Sequence, residues 1–180
     1  MNKDEIYNFI KGKGIWYEVT EHKAVYSMDD LKDVKLPYRE GNAKNLFVRD
    51  DKKKNYYLIM VREEKRVNLS LFRKEFNTRP LTFASSEDLE RILGLYPGAV
   101  SPLGLFNDNE RKVKFYLDDD FHDEDIIGMH PNDNTASLWL KVKDLKDIIK
   151  EHGNEVYEAE LWFCLLVVEL IYRLFILIGL

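Results

Sequence analysis

The residues of this chain that could do chemistry are scattered, and most have an ordinary structural use as well. The acidic run 118–125, DDDFHDED, offers enough carboxylate oxygen for a hard cation. It lacks the glycine turn and distal Glu of an EF-hand loop, and a solvated turn between strands would use the same residues. His130 stands in GMHPNDNTAS, where Pro131, Asn132, Asp133 and Asn134 favour a turn. It is either a polar contact or proton carrier for a substrate, or a structural histidine at a strand end. Lys44-Asn45 enters a strand-like segment, where a lysine is either a point charge for a ligand or a solvent-facing side chain. Lys52, Lys53, Lys54, Arg62, Lys65, Arg66, Arg73, Lys74 and Arg79 make one third of the chain locally positive, against a strongly negative 118–133. That pattern suits phosphate contact with a nucleic acid, the acidic run lying off the basic face. It equally suits a charged surface with Glu63, Glu64 and Glu75 as partners. No nucleophile elbow, Walker loop, dinucleotide fingerprint, zincin motif or zinc-type Cys/His spacing is present.

The segment YPGAVSPLGLFND, residues 96–108, has another character. It is too apolar for a plain surface loop. Pro97, Gly98, Pro102 and Gly104 lie too close together for a regular strand or helix.

Elements around these residues must position them. Ile6, Phe9 and Ile10 have helical spacing, and Gly14 supplies a stop. IWYEVTEH is β-rich, and Ser27 caps a short helix in MDDLKDV. KNLFVRD and NYYLIMVR are strands joined by the polar connection DDKKKN. SLFRKEF is a short helix, and SSEDLERILGL is a second, with Ser85 or Ser86 as cap and acidic residues in its first turn. KVKFYLD, IIGMH and NTASLWLKV are strands. KDLKDIIKEHG is a helix stopped by Gly153, and EVYEAEL is a last strand. Strands and helices mix without strict βαβ alternation, which predicts an α+β fold, a mixed, curved central sheet with helices packed around it.

The 180-residue length suits one domain, and the formal net charge of -5 argues against a DNA-coating protein. Cys164 is the single cysteine, so no internal disulfide forms, which suits a reducing cytoplasm. The N-terminal stretch has no signal-peptide apolar segment. From Leu161 the chain turns abruptly apolar, LWFCLLVVELIYRLFILIGL, with Glu169 and Arg173 as its charges. Residues 161–180 read as a membrane anchor, a helix packed on the domain or in a dimer seam, or an aberrant end. A helix is expected, and Glu169 near mid-span counts against the anchor.

Four segments taken in order, HKAVYSMDDL, KNLFVRD, GAVSPLGL and MHPNDNTAS, resemble the signatures of the YbaK/prolyl-tRNA-synthetase editing-domain family, above all its free-standing ProX-type and prolyl-tRNA-synthetase-associated members. The resemblance covers residues 1–160. It places the family's glycine-x-x-x-proline loop at Gly98, Ala99, Val100, Ser101 and Pro102, its strand lysine at Lys44 beside Asn45, and its histidine at His130, with Thr135 following. His22 is followed by Lys23, where family members usually carry proline.

The resemblance implies a deacylase that hydrolyses mischarged aminoacyl-tRNA in trans, without metal or other cofactor. Ala-tRNA(Pro) is the expected substrate and Cys-tRNA(Pro) the second. The rival is a non-catalytic module of the same fold that binds tRNA or an amino acid. The expected partners are the aminoacylated 3′ end of tRNA and prolyl-tRNA synthetase, with a membrane or dimer contact through 161–180. On this view the glycines let backbone N–H groups approach the ester, and Ala99, Val100 and Leu103 gauge its side chain. Lys44 meets the terminal phosphate or an ester oxygen. Asn45, His22, Gly104, His130 and Thr135 bind substrate, and a hydroxyl of the terminal ribose helps to activate water. Lys44, the Gly98–Pro102 loop and His130 are expected to converge on one pocket.

Overall fold

The computed structural model describes residues 1–25 and 34–161. The expected helix after Ser27 and all but the first residue of the apolar tail lie outside the described residues. Among the described residues no helix is long and apolar enough to cross a membrane.

The first helix, α1 (Lys3–Gly12), begins in a capping box: the Asn2 side chain accepts from Glu5 N while the Glu5 carboxylate accepts from Asn2 N. It turns Ile6 and Ile10 inward. There follow β1 (Glu18–Glu21), a short 3-10 turn (Arg39–Gly41), β2 (Ala43–Asp50), β3 (Tyr56–Arg62), α2 (Leu69–Glu75), β4 (Leu81–Phe83) and α3 (Ser86–Leu93). A 3-10 helix (Pro102–Asn107), β5 (Val113–Asp118), β6 (Ile126–Met129), β7 (Ala136–Lys141), α4 (Val142–His152) and β8 (Val156–Ala159) complete the order. The α+β class is as expected, but the strands are shared between two sheets. One is antiparallel, β1-β7-β6. The other, β4-β2-β3-β5-β8, is mixed, because the β2–β3 and β2–β4 pairs are antiparallel whereas β5 joins β3 and β8 in parallel. Among the described residues an isolated bridge between Asn42 and Gly128 ties the two together.

Strand β3 explains why the five-stranded sheet is covered on both sides. Its residues are apolar without alternation, so Tyr56, Leu58 and Met60 face one core and Tyr57, Ile59 and Val61 the other. The first core takes Phe47 of β2 together with α1, α3, the 3-10 helix and α4. The second takes Val48, Tyr116 and Phe72 of α2, and reaches Leu161, where the apolar tail begins. Gly153 stops α4 in a left-handed conformation as expected, and Ser85 caps α3 through Asp88 N; α3 ends earlier than expected, at Leu93, because Gly94 takes the same left-handed conformation.

Candidate functional site

The broken apolar segment is folded tightly against α3. A turn closes with Ala99 N donating to Tyr96 O at 3.0 Å, and inside it Gly98 has φ 93°, a conformation that side-chain-bearing residues rarely adopt. Ser101 is extended and buried, and its Oγ accepts from Leu103 N at 3.2 Å to start the 3-10 helix, with Pro102 at the first helical position. The same hydroxyl donates to the His130 carbonyl at 2.5 Å. One buried side chain therefore fixes both the glycine loop and the turn after β6. Gly104 serves packing, since a Cβ there would lie 2.6 Å from Leu95 Cδ1.

The loop forms one wall of a cleft of about 230 Å³. Pro97, Gly98 and Val100 face Asn45, Leu46 and Phe47 of β2 across it, and Phe83, Ala84, Ser85, Ser86 and Leu89 close the end. Strand β4 creates this opening by being short. It pairs with β2 over Val48–Asp50 and leaves the strand after Ala84 N has donated to Phe47 O. Strand alternation that turns the Phe47 carbonyl toward Ala84 also turns the backbone of Asn45 toward this edge, where β4 no longer covers it. The Asn45 side chain adds a second free group: Oδ1 is buried without a hydrogen-bond partner. Of the described side chains with a buried unpartnered atom, Asn45 alone lines the cleft.

The other expected residues divide. Val100 lines the cleft, whereas Ala99 and Leu103, expected beside it as a wall, are fully buried. His22, His130 and Thr135 gather behind the loop at the end of the antiparallel sheet. The two imidazoles are 6.5 Å apart, and His22 N donates to Thr135 O at 2.9 Å. Thr135 is tied in turn to Lys3 at 3.1 Å and to the Asp133 carboxylate. His130 Nδ1 lies 3.2 Å from the Ala136 carbonyl, which can only accept, so Nδ1 carries hydrogen and Nε2 is left as an acceptor in the neutral ring. Burial lowers the His130 pKa, opposed by that hydrogen bond, and His22 adds to the lowering. His130 does not line the cleft; it reaches the loop through its carbonyl.

Lys44 adjoins Asn45, but alternation puts its side chain on the opposite sheet face, that of its cross-strand partner Val61 and of Leu46. Its ammonium donates to Glu63 O at 2.8 Å, and burial, with Arg66, lowers its pKa. The backbone of residue 44 thus adjoins the cleft while its charge stands on the other side of the sheet edge.

The expected separation of charge fails for Arg62 and Lys65. Lys65 bridges Asp118 at 2.8 Å and Asp120 at 2.5 Å, and Arg62 meets Asp125 at 3.5 Å. Two basic residues are therefore neutralised by the acidic run that was expected to lie away from them, because Asp118 ends β5 fully buried and needs a counter-charge. Arg79 pairs with Asp51. Lys52, Lys53, Lys54, Arg66, Arg73 and Lys74 are exposed. Asp118, Asp119 and Asp120 lie close enough together to share an ion, but Lys65 already holds two of them.

Sequence reasoning missed Phe83 and the start of α3 as cleft residues. The available signal was a lone aromatic two residues before a helix cap, in TFASSEDL.

A family model described as the aminoacyl-tRNA editing domain matches residues 22–148. The prolyl-tRNA editing protein ProX of Acetoanaerobium sticklandii is 32% identical over 145 residues, 81% of this chain and 88% of that protein. The prolyl-tRNA synthetase associated domain-containing protein 1 of Mus musculus is 31% identical over 142 residues, 77% of this chain and 83% of that protein. A solved structure described as a candidate trans-editing enzyme for prolyl-tRNA synthetase superposes with a TM-score of 0.67 at 21% identity, covering 90% of this chain and 97% of that one, and so shares the fold.

Proposed function

Because the chain belongs to the aminoacyl-tRNA editing domain family, we propose that it hydrolyses mischarged aminoacyl-tRNA in trans, with Ala-tRNA(Pro) as substrate. Water adds to the ester carbonyl, the bond to the ribose oxygen breaks, and free alanine and tRNA with a restored hydroxyl leave. An activated ester needs no protein nucleophile for this; it needs positioning and donors for the developing oxyanion. The observation that supports the reading is that the Gly98 loop and Asn45 line the same small cleft, and that the buried Asn45 Oδ1 has no hydrogen-bond partner.

In this scheme the N–H groups of Gly98 and Val100, the loop residues beside Pro97 that line the cleft, polarise the carbonyl, and Asn45 Oδ1 accepts from the α-ammonium that every aminoacyl ester carries. Val100 limits the acyl side chain, and a terminal ribose hydroxyl assists the attacking water. Lys44 serves from the sheet edge, leaving Glu63 O for the terminal phosphate. His130 holds the loop from behind. Prolyl-tRNA synthetase enters as the source of the mischarged substrate.

Single-turnover deacylation of Ala-tRNA(Pro), Cys-tRNA(Pro) and Pro-tRNA(Pro) tests the proposal. Rapid loss of alanine with proline retained is expected. Binding of charged tRNA without release of any amino acid would assign the fold a carrier role instead.

A further inference from the structure

We infer that Phe83 is the stacking platform for the terminal base of the tRNA, a role that rests on the proposed deacylase reading. Phe83 is 64% exposed, the highest value among the exposed large apolar side chains of the described residues. It stands at the last position of β4, on the rim of the cleft lined by Gly98 and Asn45. A solitary exposed aromatic is ordinary on a protein surface, but one on the lip of the candidate site is placed to act there.

The geometry gives the ring a specific use. Phe83 is registered opposite Val48, so it shares a sheet face with Leu46 and Lys44, whereas Asn45 belongs to the other face. The cleft crosses the open edge of β2 between these faces. A substrate lying over that edge would present its acyl group to Gly98 and Asn45 and turn its nucleotide toward the face that carries Lys44 and Phe83. The nucleotide then meets an ammonium for its phosphate and an exposed ring for its base. Bases of single-stranded ends are commonly held on aromatic side chains in this way. The uncovered backbone edge at Asn45 supplies hydrogen-bonding groups between the two regions.

The test uses the full chain and two independent readouts. Phe83→Ala should raise KM for Ala-tRNA(Pro) about tenfold, in the range expected when one base–aromatic stack is removed, with kcat nearly unchanged, and Phe83→Tyr should restore it. Phe83→Trp should show fluorescence quenching by the trinucleotide CCA beyond that of the parent protein, and much less by the dinucleotide CC. An unchanged KM for Phe83→Ala, or equal responses to CCA and CC, would overturn the assignment. Should the parent protein deacylate nothing, the proposed activity fails, and the quenching comparison alone still decides whether Phe83 stacks on a terminal base.

Discussion

Ser101 and His130, far apart in the chain, are joined by a 2.5 Å hydrogen bond from hydroxyl to carbonyl. The Ser101 oxygen also accepts from Leu103 N, so one atom holds the turn after β6 and starts the 3-10 helix that follows the glycine loop. Ser101→Ala would leave a buried carbonyl and a backbone N–H without this partner. It should lower stability by about 1–3 kcal/mol in urea unfolding and reduce deacylation through loop disorder. Equal stability would show that the hydrogen bond contributes nothing net.

Gly98 has φ 93°, and its backbone lines the cleft. Gly98→Val should reduce single-turnover deacylation severely, by backbone strain and by filling the space before the loop amides. Circular dichroism and thermal melting would separate that loss from unfolding. A folded variant with parental rates would exclude a close approach of substrate to this loop.

Asn45 and Lys44 should fail differently. In the proposed scheme Asn45→Ala removes an acceptor for the α-ammonium, worth about 1.5–3 kcal/mol for a charged partner, so kcat/KM should fall roughly ten- to a hundredfold at any salt concentration. Lys44→Ala should cost a similar factor at low salt and less at high salt, because a phosphate contact is screened. A folded Lys44→Ala protein with parental kinetics would remove Lys44 from the mechanism.

His130 provides a pH test. Burial chiefly holds its imidazole below the ordinary 6.5, so just below that pH the unfolded chain binds a proton that the folded chain does not. The contribution of His130 to stability is therefore full above 6.5 and declines as pH falls toward the depressed folded value. The decline is less than about 1.4 kcal/mol per pH unit, the most that one group gives. His130→Gln should flatten the unfolding free energy across that window. An unchanged slope would mean that His130 does not set the acid response in that window.

Lys65 and the Lys52–Lys54 cluster should separate structural from binding charge. Lys65→Met strands the fully buried Asp118, whose carboxyl burial pushes up against the pull of that ammonium, and should destabilise by about 3–5 kcal/mol. Replacing Lys52, Lys53 and Lys54 with Gln should leave the melting temperature nearly unchanged. It should make tRNA affinity less steeply dependent on salt, by roughly 0.7–0.9 in log–log slope for each phosphate that these lysines no longer neutralise. The opposite pattern would place the tRNA-facing charge at Lys65.

What the sequence determined by itself was local. Alternation in KVKFYLD, the cap at Ser85 and the stop at Gly153 depend on neighbours within a few residues, so those elements could be read directly. The odd composition of 96–108 also marked a break in regular strand and helix, because proline fixes φ and glycine admits backbone conformations closed to other residues. The tertiary structure decided everything that depends on register. A strand lysine beside an asparagine does not reveal which of the two faces a cleft; pairing with Val61 and Met60 does, and it chose Asn45. Composition likewise made Lys65 and Phe83 ordinary. Only burial of Asp118 at the end of β5 turned Lys65 into a structural counter-charge, and only the early departure of β4 from β2 put Phe83 on the rim of an open edge. Burial and adjacency across the sheet are sums over contacts distant in the chain, and no short stretch of sequence contains them.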